Sequence, residues 1–362
     1  MTADVAEGVR GVAGQRWFFG ASMLKSGQGG IARVSRMTAR ALLEAGGDVD
    51  LLAFADTTPT TIGGRCSRAA SGSRLRFALG SHRAALERRR FLYDAVGLAR
   101  AHPVLPSLRR PYGVWIHGVE VWHNLSADRA RALRNADFVL ANSRFTLERF
   151  EDMHFPLPRA AVVWLATEAS ERPVAPATFD GPPIVLVLGR ADEGQLYKGH
   201  RELIDVWPRI VRAVPDARLL MVGGGSALST VRAWAAASPA AAAIRVAGHV
   251  TEEELEAVWR SSHALAMPSR GEGFGLVYVE AMRHGLPVIA SVHDAGQEVN
   301  VDGETGFNVD LDDPGALEER LLALLSDTDE ARAMGVRGAA RWESHFTYEG
   351  FRARLLASLF RP

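Results

Sequence analysis

The sequence has one cysteine, no net charge and no long apolar run. With Cys66 alone, a disulfide within the chain and a four-cysteine zinc site are both excluded. Lysine plus arginine and aspartate plus glutamate number 42 each, so the overall charge does not indicate nucleic acid or an acidic substrate as a partner. The longest apolar runs, residues 184–188 and 241–244, are far shorter than the roughly 20 residues that span a bilayer. Any contact with a membrane is therefore expected to be peripheral.

The amino terminus also lacks the pattern of a secretory signal. Its first residues, MTADVAEGVRGVAG, contain Asp4 and Glu7 where such a signal has basic residues and then an apolar segment. Together with the single cysteine, this predicts a cytoplasmic protein, located at the inner face of the plasma membrane if it contacts lipid.

Length and periodicity predict two α/β domains. A chain of 362 residues exceeds the size of one typical hydrophobic core, and short runs of Val, Ile, Phe and Leu alternate with segments of helical period. We therefore expect two Rossmann-like domains, each with a doubly wound parallel sheet, facing a cleft. The predicted division is an amino-terminal domain at 1–170, a proline-rich linker at 171–183, a carboxyl-terminal domain at 184–345 and a closing helix at 346–362 that packs back on the first domain.

The same periodicity assigns individual elements. The strands predicted in the first domain are 17–22, 49–54, 114–117, 138–142 and 162–165. Its predicted helices lie near 30–45, 83–100, 127–135 and 143–152. The strands predicted in the second domain are 184–188, 218–222, 244–247, 264–267, 287–290 and 307–309. Residues 57–82, crowded with Thr, Ser, Gly and Arg, are predicted to form a mobile loop.

One glycine-rich segment, SRGEGFGLVYVEAMRHGLPVIA, carries two carboxylates eight residues apart. A helix that begins near Leu276 would place Glu280 one turn inside it and Glu272 in the turn before it, facing one pocket. The unpaired N–H groups of Phe274, Gly275 and Leu276 at such a helix start would attract phosphate. Since carboxylates repel phosphate, we expect Glu272 to bind sugar hydroxyls and Glu280 to bind ribose hydroxyls, which together indicate a nucleotide sugar.

Two cations occupy loops in an earlier segment. Arg190 directly follows a predicted strand, and Lys198 directly precedes a predicted helix. The planar fork of an arginine and the compact charge of a lysine are suited to holding a diphosphate as its charge develops, without a metal ion. Each residue taken alone is more often a solvated surface charge. Beside the glycine-rich turn, phosphate binding is favoured.

These motifs resemble the donor-binding domain of the retaining family 4 glycosyltransferases, which have the two-domain GT-B fold. The matching motifs are Gly189-Arg190, Lys198-Gly199, Gly248-His249-Val250, Glu272-Gly273-Phe274-Gly275 and Glu280-Ala281. The resemblance implies that Arg190 and Lys198 grip the diphosphate and that Glu272 meets the donor sugar. The donor-binding positions that the resemblance implies are Gly189, the loop residues His249 and Val250 near the base, the backbone of Phe274, Gly275 and Leu276, and Glu280 at the ribose.

The first half adds two further matches to this family. In Ser26-Gly27-Gln28-Gly29-Gly30, between a strand and a helix, the family has a glycine loop whose Gly29 and Gly30 positions approach the donor phosphates. His117 matches a histidine that the family places beside the donor sugar, although a lone histidine is as often structural. After the last strand the family often has Asn-Gly, whereas this chain has Trp164-Leu165-Ala166-Thr167-Glu168, so the contacts usually assigned there do not carry over.

The resemblance implies a retaining hexosyltransferase. It would move a sugar from a nucleoside-diphosphate sugar to a hydroxyl group of a saccharide or lipid-linked acceptor, in glycan or polysaccharide biosynthesis, with no cofactor beyond the co-substrate. Two alternatives stay open. A nucleotide-sugar epimerase shares the scaffold, and an NAD-dependent oxidoreductase would use Gly27, Gly29 and Ala32 as its dinucleotide loop with Asp56 at the next strand end.

Three D-x-D patterns raise the question of a metal-dependent transferase of another fold. They are Asp48-Asp50, Asp310-Asp312 and Asp327-Asp329. Asp48 precedes a predicted strand, whereas a metal-binding motif follows one. Asp312 and Asp327 fall at predicted helix starts, where capping aspartates are common. All three patterns are interpreted as structural, and no metal site is predicted.

Residues 61–110 concentrate positive charge. The segment has eleven arginines against Glu87 and Asp94, a formal charge of +9. One interpretation is a solvated, loosely ordered loop, and the other is a surface that contacts anionic lipid, where each basic residue contributes on the order of 1 kcal/mol. The membrane interpretation is slightly favoured.

Overall fold

A computed structural model describes residues 3–27, 29–169 and 174–360. They form two compact units, one within Met1–Ser170 and Thr347–Pro362 and the other within Glu171–Phe346. Gln28 of the predicted glycine loop, residues 171–173 of the predicted linker and residues 361–362 of the predicted closing segment lie outside the described residues.

The first unit is built on a seven-stranded parallel sheet. Its strands are β1 Arg16–Ala21, β2 Asp48–Ala53, β5 Arg68–Ala69, β6 Arg90–Tyr93, β7 Tyr112–Ile116, β8 Phe138–Ala141 and β9 Ala160–Val162, and a separate hairpin has β3 Thr61–Ile62 and β4 Arg65–Cys66. Its helices are α1 Ala3–Val12, α2 Gly30–Glu44, α3 Arg74–Leu86, α4 Val96–Ala99, α5 Val119–Trp122, α6 Ala127–Arg134, α7 Arg144–Met153 and α15 Tyr348–Ser358. The sheet order is β5-β2-β1-β6-β7-β8-β9, so the strand order reverses between β1 and β6.

An aromatic cluster fills one side of this sheet. Phe18 on β1 lies 5.0 Å from Phe91 on β6 between ring centroids, and it meets Phe77 of α3 and Tyr93 in edge-on contacts at 6.3 and 6.1 Å. All four side chains are buried. Edge-on aromatic pairs add to the stabilisation that comes from apolar burial, and here they fix α3 against the two strands at the reversal point.

The helix predicted near 83–100 is wrong. Helix α3 ends at Leu86, the chain turns at Arg88 with a positive φ of 57°, and residues 90–93 form the central strand β6. The three residues after Arg90 are buried apolar side chains. A four-residue strand that begins at the third of three consecutive arginines has too little alternation for sequence periodicity to reveal it.

The mobile loop predicted at 57–82 is also wrong. Gly63 and Gly64, with φ of 53° and 77°, close the hairpin of β3 and β4, since a two-residue turn with positive φ at both positions suits glycine. The short strand β5 then pairs with β2, and Ser73 caps α3 by accepting the N–H of Arg76 at 3.3 Å. The strand predicted at 162–165 lies two residues earlier, at β9.

The last described helix, α15, belongs to the first unit. Thr347 caps it by accepting the N–H of Gly350 at 3.2 Å. It packs against α1, where a Cβ at Gly8 would lie 2.2 Å from the carbonyl oxygen of Leu356. Its first residue, Tyr348, donates its hydroxyl to Glu44 at the end of α2 at 2.9 Å. Only glycine at position 8 permits this helix approach.

The second unit has a six-stranded parallel sheet in the order β12-β11-β10-β13-β14-β15. Its strands are β10 Ile184–Leu188, β11 Arg218–Val222, β12 Ile244–Gly248, β13 Ala264–Ala266, β14 Val288–Ser291 and β15 Gly306–Val309. Its α-helices are α8 His200–Ala213, α9 Leu228–Ala237, α10 Glu252–Ser261, α11 Leu276–Arg283, α12 Gly296–Val299, α13 Ala316–Ser326 and α14 Thr328–His345, with 3₁₀ turns at Glu193–Lys198 and Ala241–Ala243. Each predicted strand of this unit is confirmed to within one residue.

The strand order of the second unit reverses between β10 and β13. Strands buried on both faces read as short continuous apolar runs, which is why IVLVL and its neighbours were legible in the sequence. Open parallel sheets bind ligands outside the carboxyl ends of the strands at such a reversal. Within the described ranges, no helix has the length and apolar character needed to cross a bilayer.

Candidate active site

The loops after β10 and β13 meet at the reversal point of the second unit. Gly199 has a positive φ of 84°, and a Cβ there would lie 2.8 Å from three atoms of Pro268, which follows β13. Arg270 donates its N–H to the carbonyl oxygen of Tyr197 at 3.0 Å, and a Cβ at Gly271 would lie 2.6 Å from the Tyr197 ring. The glycines of both motifs therefore lock the two loops together.

Lys198 and Glu272 form an ion pair across these loops. Lys198 Nζ lies 3.2 Å from Glu272 Oε1, with the two side chains only 15% and 17% exposed. A Cβ at Gly189 would lie 3.5 Å from Lys198 Cδ, so the lysine chain passes closely over that glycine. The sequence prediction assigned Lys198 to phosphate and Glu272 to sugar hydroxyls, and the structure brings the two together. A diphosphate that binds here would compete with Glu272 for the positive charge of Lys198.

Asp294 supports the Glu272 turn and was missed in the sequence. Its carboxylate accepts the N–H of Glu272 at 2.8 Å and that of Gly296 at 2.9 Å, and the N–H of Ala295 donates to the carbonyl oxygen of Glu272 at 3.0 Å. Asp294 is fully buried, and burial is the main reason that its pKa rises to about 7. The sequence signal that could have identified Asp294 is its position three residues after a buried strand.

Helix α11 begins directly after the glycine-rich turn. Gly275 precedes it in a left-handed conformation, with φ of 87° and ψ of 63° and no side-chain cap. A Cβ there would lie 2.2 Å from the Tyr278 ring, whose hydroxyl donates to the carbonyl oxygen of Met267 at 2.6 Å. The Tyr278 bond ties the helix start to the end of β13. Uncapped N–H groups at a helix start favour an anion.

The predicted donor-binding positions on this turn differ in orientation. Phe274 is buried and its ring lies 6.0 Å from that of Phe346, so only its backbone is available to a ligand. Leu276 and Glu280 are both half-buried and four residues apart on α11, so they share one stripe of the helix. Glu280 therefore lies on the partly exposed stripe that begins at the helix start.

Arg190 follows β10 and is paired with a neighbouring carboxylate. Arg190 Nε lies 2.9 Å from Asp192 Oδ2, and the arginine side chain is 62% exposed. The N–H of Ser226 donates to Asp192 at 2.9 Å, and this bond, followed by those from Arg190, lowers the pKa of Asp192. Asp192, which sequence reasoning missed, therefore stays ionised and holds Arg190 beside the loop that follows β11.

His249 and Val250 lie in the loop between β12 and α10. His249 is exposed and Val250 is half-buried. The following residue, Thr251, forms a capping box with Glu254, each side chain accepting the N–H of the other residue at 2.8 and 3.2 Å. The cap fixes the start of α10 and leaves the two preceding side chains at the carboxyl edge of the sheet, on the same edge as the loop after β10.

In the first unit, His117 lies at the carboxyl end of β7, beside a buried aspartate that sequence reasoning missed. His117 Nε2 donates to the carbonyl oxygen of Asp94 at 2.6 Å, because a carbonyl can only accept. Nδ1 is then an acceptor in the neutral ring, and it is buried without a hydrogen-bond partner among the described residues. Glu120 accepts the N–H of His117 at 2.6 Å. The ring is thus held with one unused acceptor.

Asp94 also anchors the start of α2. Its fully buried carboxylate accepts the N–H and hydroxyl of Ser22 at 2.6 and 2.9 Å and the hydroxyl of Ser35 at 2.8 Å. Burial raises the pKa of Asp94, and the serine bonds oppose that rise. Gly29 precedes α2 with φ of 90°, and Gly30 is its first residue. The predicted glycine-loop residues and His117 therefore share one buried anchor.

The structure weakens the dinucleotide interpretation of the glycine loop. Asp56 is buried and accepts the N–H of Leu24 at 3.0 Å, so its carboxylate is already engaged where a ribose would need it.

The segment that departs from the family pattern, residues 164–168, has a structural role. Its last residue, Glu168, pairs with Arg36 through two hydrogen bonds of 2.5 Å. Arg36 in turn donates to the carbonyl oxygen of Lys25 at 2.9 Å, which ties the end of the unit to the glycine loop.

The three D-x-D patterns contribute to a strand start, a helix cap and ion pairs. Asp48 begins β2 and pairs with Arg65, and the predicted cap at Asp327 is confirmed, since Asp327 accepts the N–H of Glu330 at the start of α14. The prediction that Asp312 begins a helix is wrong, because α13 starts at residue 316. Asp312 instead pairs with Arg270 at 2.6 Å in a turn after β15.

Two family models match this chain. The model described as glycosyltransferase family 4 matches residues 28–167, and the model described as glycosyl transferases group 1 matches residues 170–341. Together they cover most of both units and leave residues 1–27 and 342–362 unmatched. The motifs at 189–199, 248–250 and 272–281 all lie within the second match.

Curated relatives and solved structures agree with these matches. One relative is a GDP-mannose-dependent alpha-(1-6)-phosphatidylinositol monomannoside mannosyltransferase of Mycolicibacterium smegmatis. The two sequences are 33% identical over a region that covers 61% of this chain and 63% of the relative. A phosphatidyl-myo-inositol mannosyltransferase of Mycobacterium tuberculosis is 39% identical over a region that covers 42% of this chain and 41% of the relative. The chain therefore spans less than two thirds of these relatives. Sucrose-phosphate synthase of Thermosynechococcus elongatus superposes with a TM-score of 0.78 at 20% identity, over 94% of this chain and 97% of that one.

Proposed function

The chain belongs to the glycosyl transferases of group 1, with the GT-B fold, and from this membership we propose that it transfers a sugar from a nucleoside-diphosphate sugar to a hydroxyl group. The observation that carries the proposal is the Lys198–Glu272 pair beside the uncapped start of α11. A cation and a helix start suit a diphosphate, and carboxylates suit hydroxyl groups.

GDP-mannose is the first donor to test, and a phosphatidylinositol-linked glycan is the first acceptor. The names of the mycobacterial relatives supply both choices. The base contacts of His249 and Val250 remain a proposal, supported by their position at the carboxyl edge of the sheet. We place the ribose at Glu280, because that side chain is partly accessible and lies one turn inside the helix.

The proposed reaction proceeds with retention at the sugar carbon. The acceptor oxygen bonds to that carbon on the face from which the diphosphate leaves, the carbon–oxygen bond to phosphate breaks, and the departing phosphate oxygen takes the acceptor proton. Lys198 and Arg190 stabilise the charge that develops on the diphosphate, each by about 100- to 1,000-fold in rate by analogy with other preorganised donors. We propose His117 as a contact of the donor sugar on the family resemblance alone. No metal or other cofactor is proposed.

A donor screen followed by product analysis tests this proposal. Nucleoside diphosphates are compared by thermal shift, and the sugars of those that bind are then offered with phosphatidylinositol acceptors. We expect one nucleoside diphosphate to stabilise the protein and its sugar to appear on the acceptor with the donor's anomeric configuration in proton NMR. An inverted centre would contradict the mechanism. An epimerised free nucleotide sugar would favour the epimerase, and stabilisation by NAD alone the oxidoreductase.

We also propose that α3 contacts an anionic membrane, where a lipid-linked acceptor would reside. Leu75, Leu79 and Leu86 are 69%, 61% and 70% exposed and lie four and seven residues apart, which places them on one helical stripe. Arg74, Arg76 and Arg83 flank this stripe and are also exposed. An apolar stripe with basic flanks is typical of helices that lie in a lipid interface.

Vesicle co-sedimentation tests the membrane contact. The protein should sediment with vesicles that contain phosphatidylinositol, less so at high salt, and hardly at all when Leu75, Leu79 and Leu86 are all changed to Ser. The matched control is Val336→Ser, which removes an apolar side chain that is 65% exposed on α14. Equal binding by the triple variant and the control would contradict this use of α3.

A further inference from the structure

A polar cavity lies at the opposite edge of the first unit's sheet from the glycine loop and His117. It has a volume of about 400 Å³, and its walls include the first residues of β1 and β2, Arg16 and Asp48, together with Arg65 and Cys66 of β4. Parallel strands present their amino ends at one edge and their carboxyl ends at the other. The cavity therefore cannot be part of the proposed donor site.

Arginines outnumber carboxylates in this cavity. The charged lining residues are Arg16, Arg65, Arg68, Arg83 and Arg89 against Asp48, Asp50 and Glu87, an excess of two positive charges. Hydrogen bonding to Arg89 is the largest effect that lowers the pKa of Glu87, so that carboxyl is ionised at neutral pH. The acidic groups are thus fully used in balancing three of the five arginines.

Asp48 and Glu87 each pair with more than one arginine, so the carboxylates do not use all of the guanidinium N–H groups. Asp48 receives Arg65 at 2.9 Å and Arg89 at 3.2 Å, while Glu87 receives Arg83 at 3.1 Å and Arg89 at 2.8 Å. In these contacts Arg65 and Arg83 each use a single N–H group to a carboxylate, although a guanidinium has five. Both side chains are about half exposed or more, at 49% and 72%. Their remaining donors are accessible from the cavity.

We propose that this cavity binds a phosphate group, free or carried by a lipid headgroup. The excess of two positive charges can neutralise the dianion of inorganic phosphate or the single charge of a lipid phosphodiester, and arginine forks bind phosphate oxygens in pairs. The turn at Gly63 and Gly64 brings β4 over the edge of β2, which supplies Arg65 to one wall, and α3 supplies Arg83 to another. The site is independent of the proposed sugar transfer.

Cys66 provides a specific probe of occupancy. It lines the cavity, it is exposed, and it is the only cysteine in the sequence. Alkylation by N-ethylmaleimide therefore reports this site alone. If a bound phosphate shields the thiol, the rate should fall about tenfold when phosphate reaches about ten times its dissociation constant, since the unoccupied fraction falls by that factor.

The test compares alkylation rates in inorganic phosphate and in sodium chloride of equal ionic strength. Saturable protection by phosphate is expected in the wild-type chain and in Arg131→Gln, which changes an exposed arginine of α6 outside the cavity lining. Protection should be lost or strongly weakened in Arg65→Gln and Arg83→Gln. Their ion pairs are solvent-exposed, so these variants should still fold, which thermal melting verifies.

Vesicles distinguish the two sources of phosphate. Protection by phosphatidylcholine vesicles only when they contain phosphatidylinositol, without protection by inorganic phosphate, would assign the site to a lipid headgroup. Protection by inorganic phosphate alone would assign it to a soluble phosphate ligand. An alkylation rate unchanged by either, or protection that is equal in Arg65→Gln and Arg131→Gln, would overturn the proposal. Failure here leaves the proposed sugar transfer untouched, because the assay contains no donor.

Discussion

Replacing Asp294 by Asn should change how the stability of the protein depends on pH. The carboxylate is fully buried behind the Glu272 turn, where it accepts two backbone N–H groups. Asn keeps the shape but offers one oxygen acceptor, so one buried N–H loses its partner, at a cost of about 1–3 kcal/mol of unfolding free energy. The variant also loses a group that titrates near neutrality.

The sign of the pH effect follows from the direction of the pKa change. Asp294 has a pKa of about 7 in the folded protein, against its usual 3.8. Between these values the folded state binds more protons than the unfolded state, so this group lowers the unfolding free energy as pH rises. A change from 3.8 to about 7 corresponds to at most about 4 kcal/mol. The contribution is fully present below pH 3.8 and lost as pH rises through 7.

Urea unfolding at intervals from pH 4.5 to 8 measures this effect as a difference between wild type and Asp294→Asn. Buried histidines such as His200, whose pKa burial lowers to about 4, change the unfolding free energy with pH in the opposite direction. Their contribution is the same in both proteins, so it cancels when the two are compared. We expect wild type to be the more stable protein at pH 4.5 and its advantage to shrink or reverse by pH 8. A difference that is constant across this range would refute the reasoning.

Three further changes test the candidate site. In urea unfolding, Gly199→Ala should lower the unfolding free energy by about 1–2 kcal/mol because of its left-handed φ, and by more because the new Cβ would contact Pro268. The control Gly194→Ala should be neutral, because a Cβ at that position of the same loop would have no atom within 4 Å. Glu272→Gln should bind nucleoside diphosphate at least as tightly as wild type in calorimetry, because Lys198 loses its competing partner, while transfer falls sharply; weaker binding would contradict this. Ser35→Ala removes one of the donors to Asp94 and should reduce turnover in a transfer assay through the glycine loop, whereas the exposed Ser344→Ala should not.

The sheet of the second unit could be predicted from sequence because its strands are short, continuous apolar runs. Ile184–Leu188 and Arg218–Val222 were located without error, since flanking glycines and prolines delimit them. Strand β6 was missed because its four residues follow a run of arginines that resembles the end of a helix. Assigning 83–100 to a helix also hid Asp94, which is visible as a site residue only once β6 is recognised.

The candidate site was predictable in composition but not in its pairings. The spacing of Glu272 and Glu280 indicated a helix start, and α11 begins at the expected residue, Leu276. The contact between Lys198 and Glu272 joins residues from two loops far apart in the sequence, and the burial of Asp294 depends on tertiary packing. Such contacts leave no periodic signal. The roles assigned to the individual site residues stay predictions.

Calorimetric titration of matched nucleotides tests the central claim, that the carboxyl edge of the second unit's sheet binds a nucleoside diphosphate through Lys198. The ligands are GDP and GMP, or the corresponding pair for whichever base binds best in the screen. In Lys198→Ala, affinity for the diphosphate should fall by about 10- to 100-fold, as expected for loss of a charged hydrogen bond, while affinity for the monophosphate changes little. Glu280→Gln should weaken both nucleotides equally. Equal affinities for the diphosphate in wild type and Lys198→Ala, or no binding of any nucleoside diphosphate, would contradict the claim.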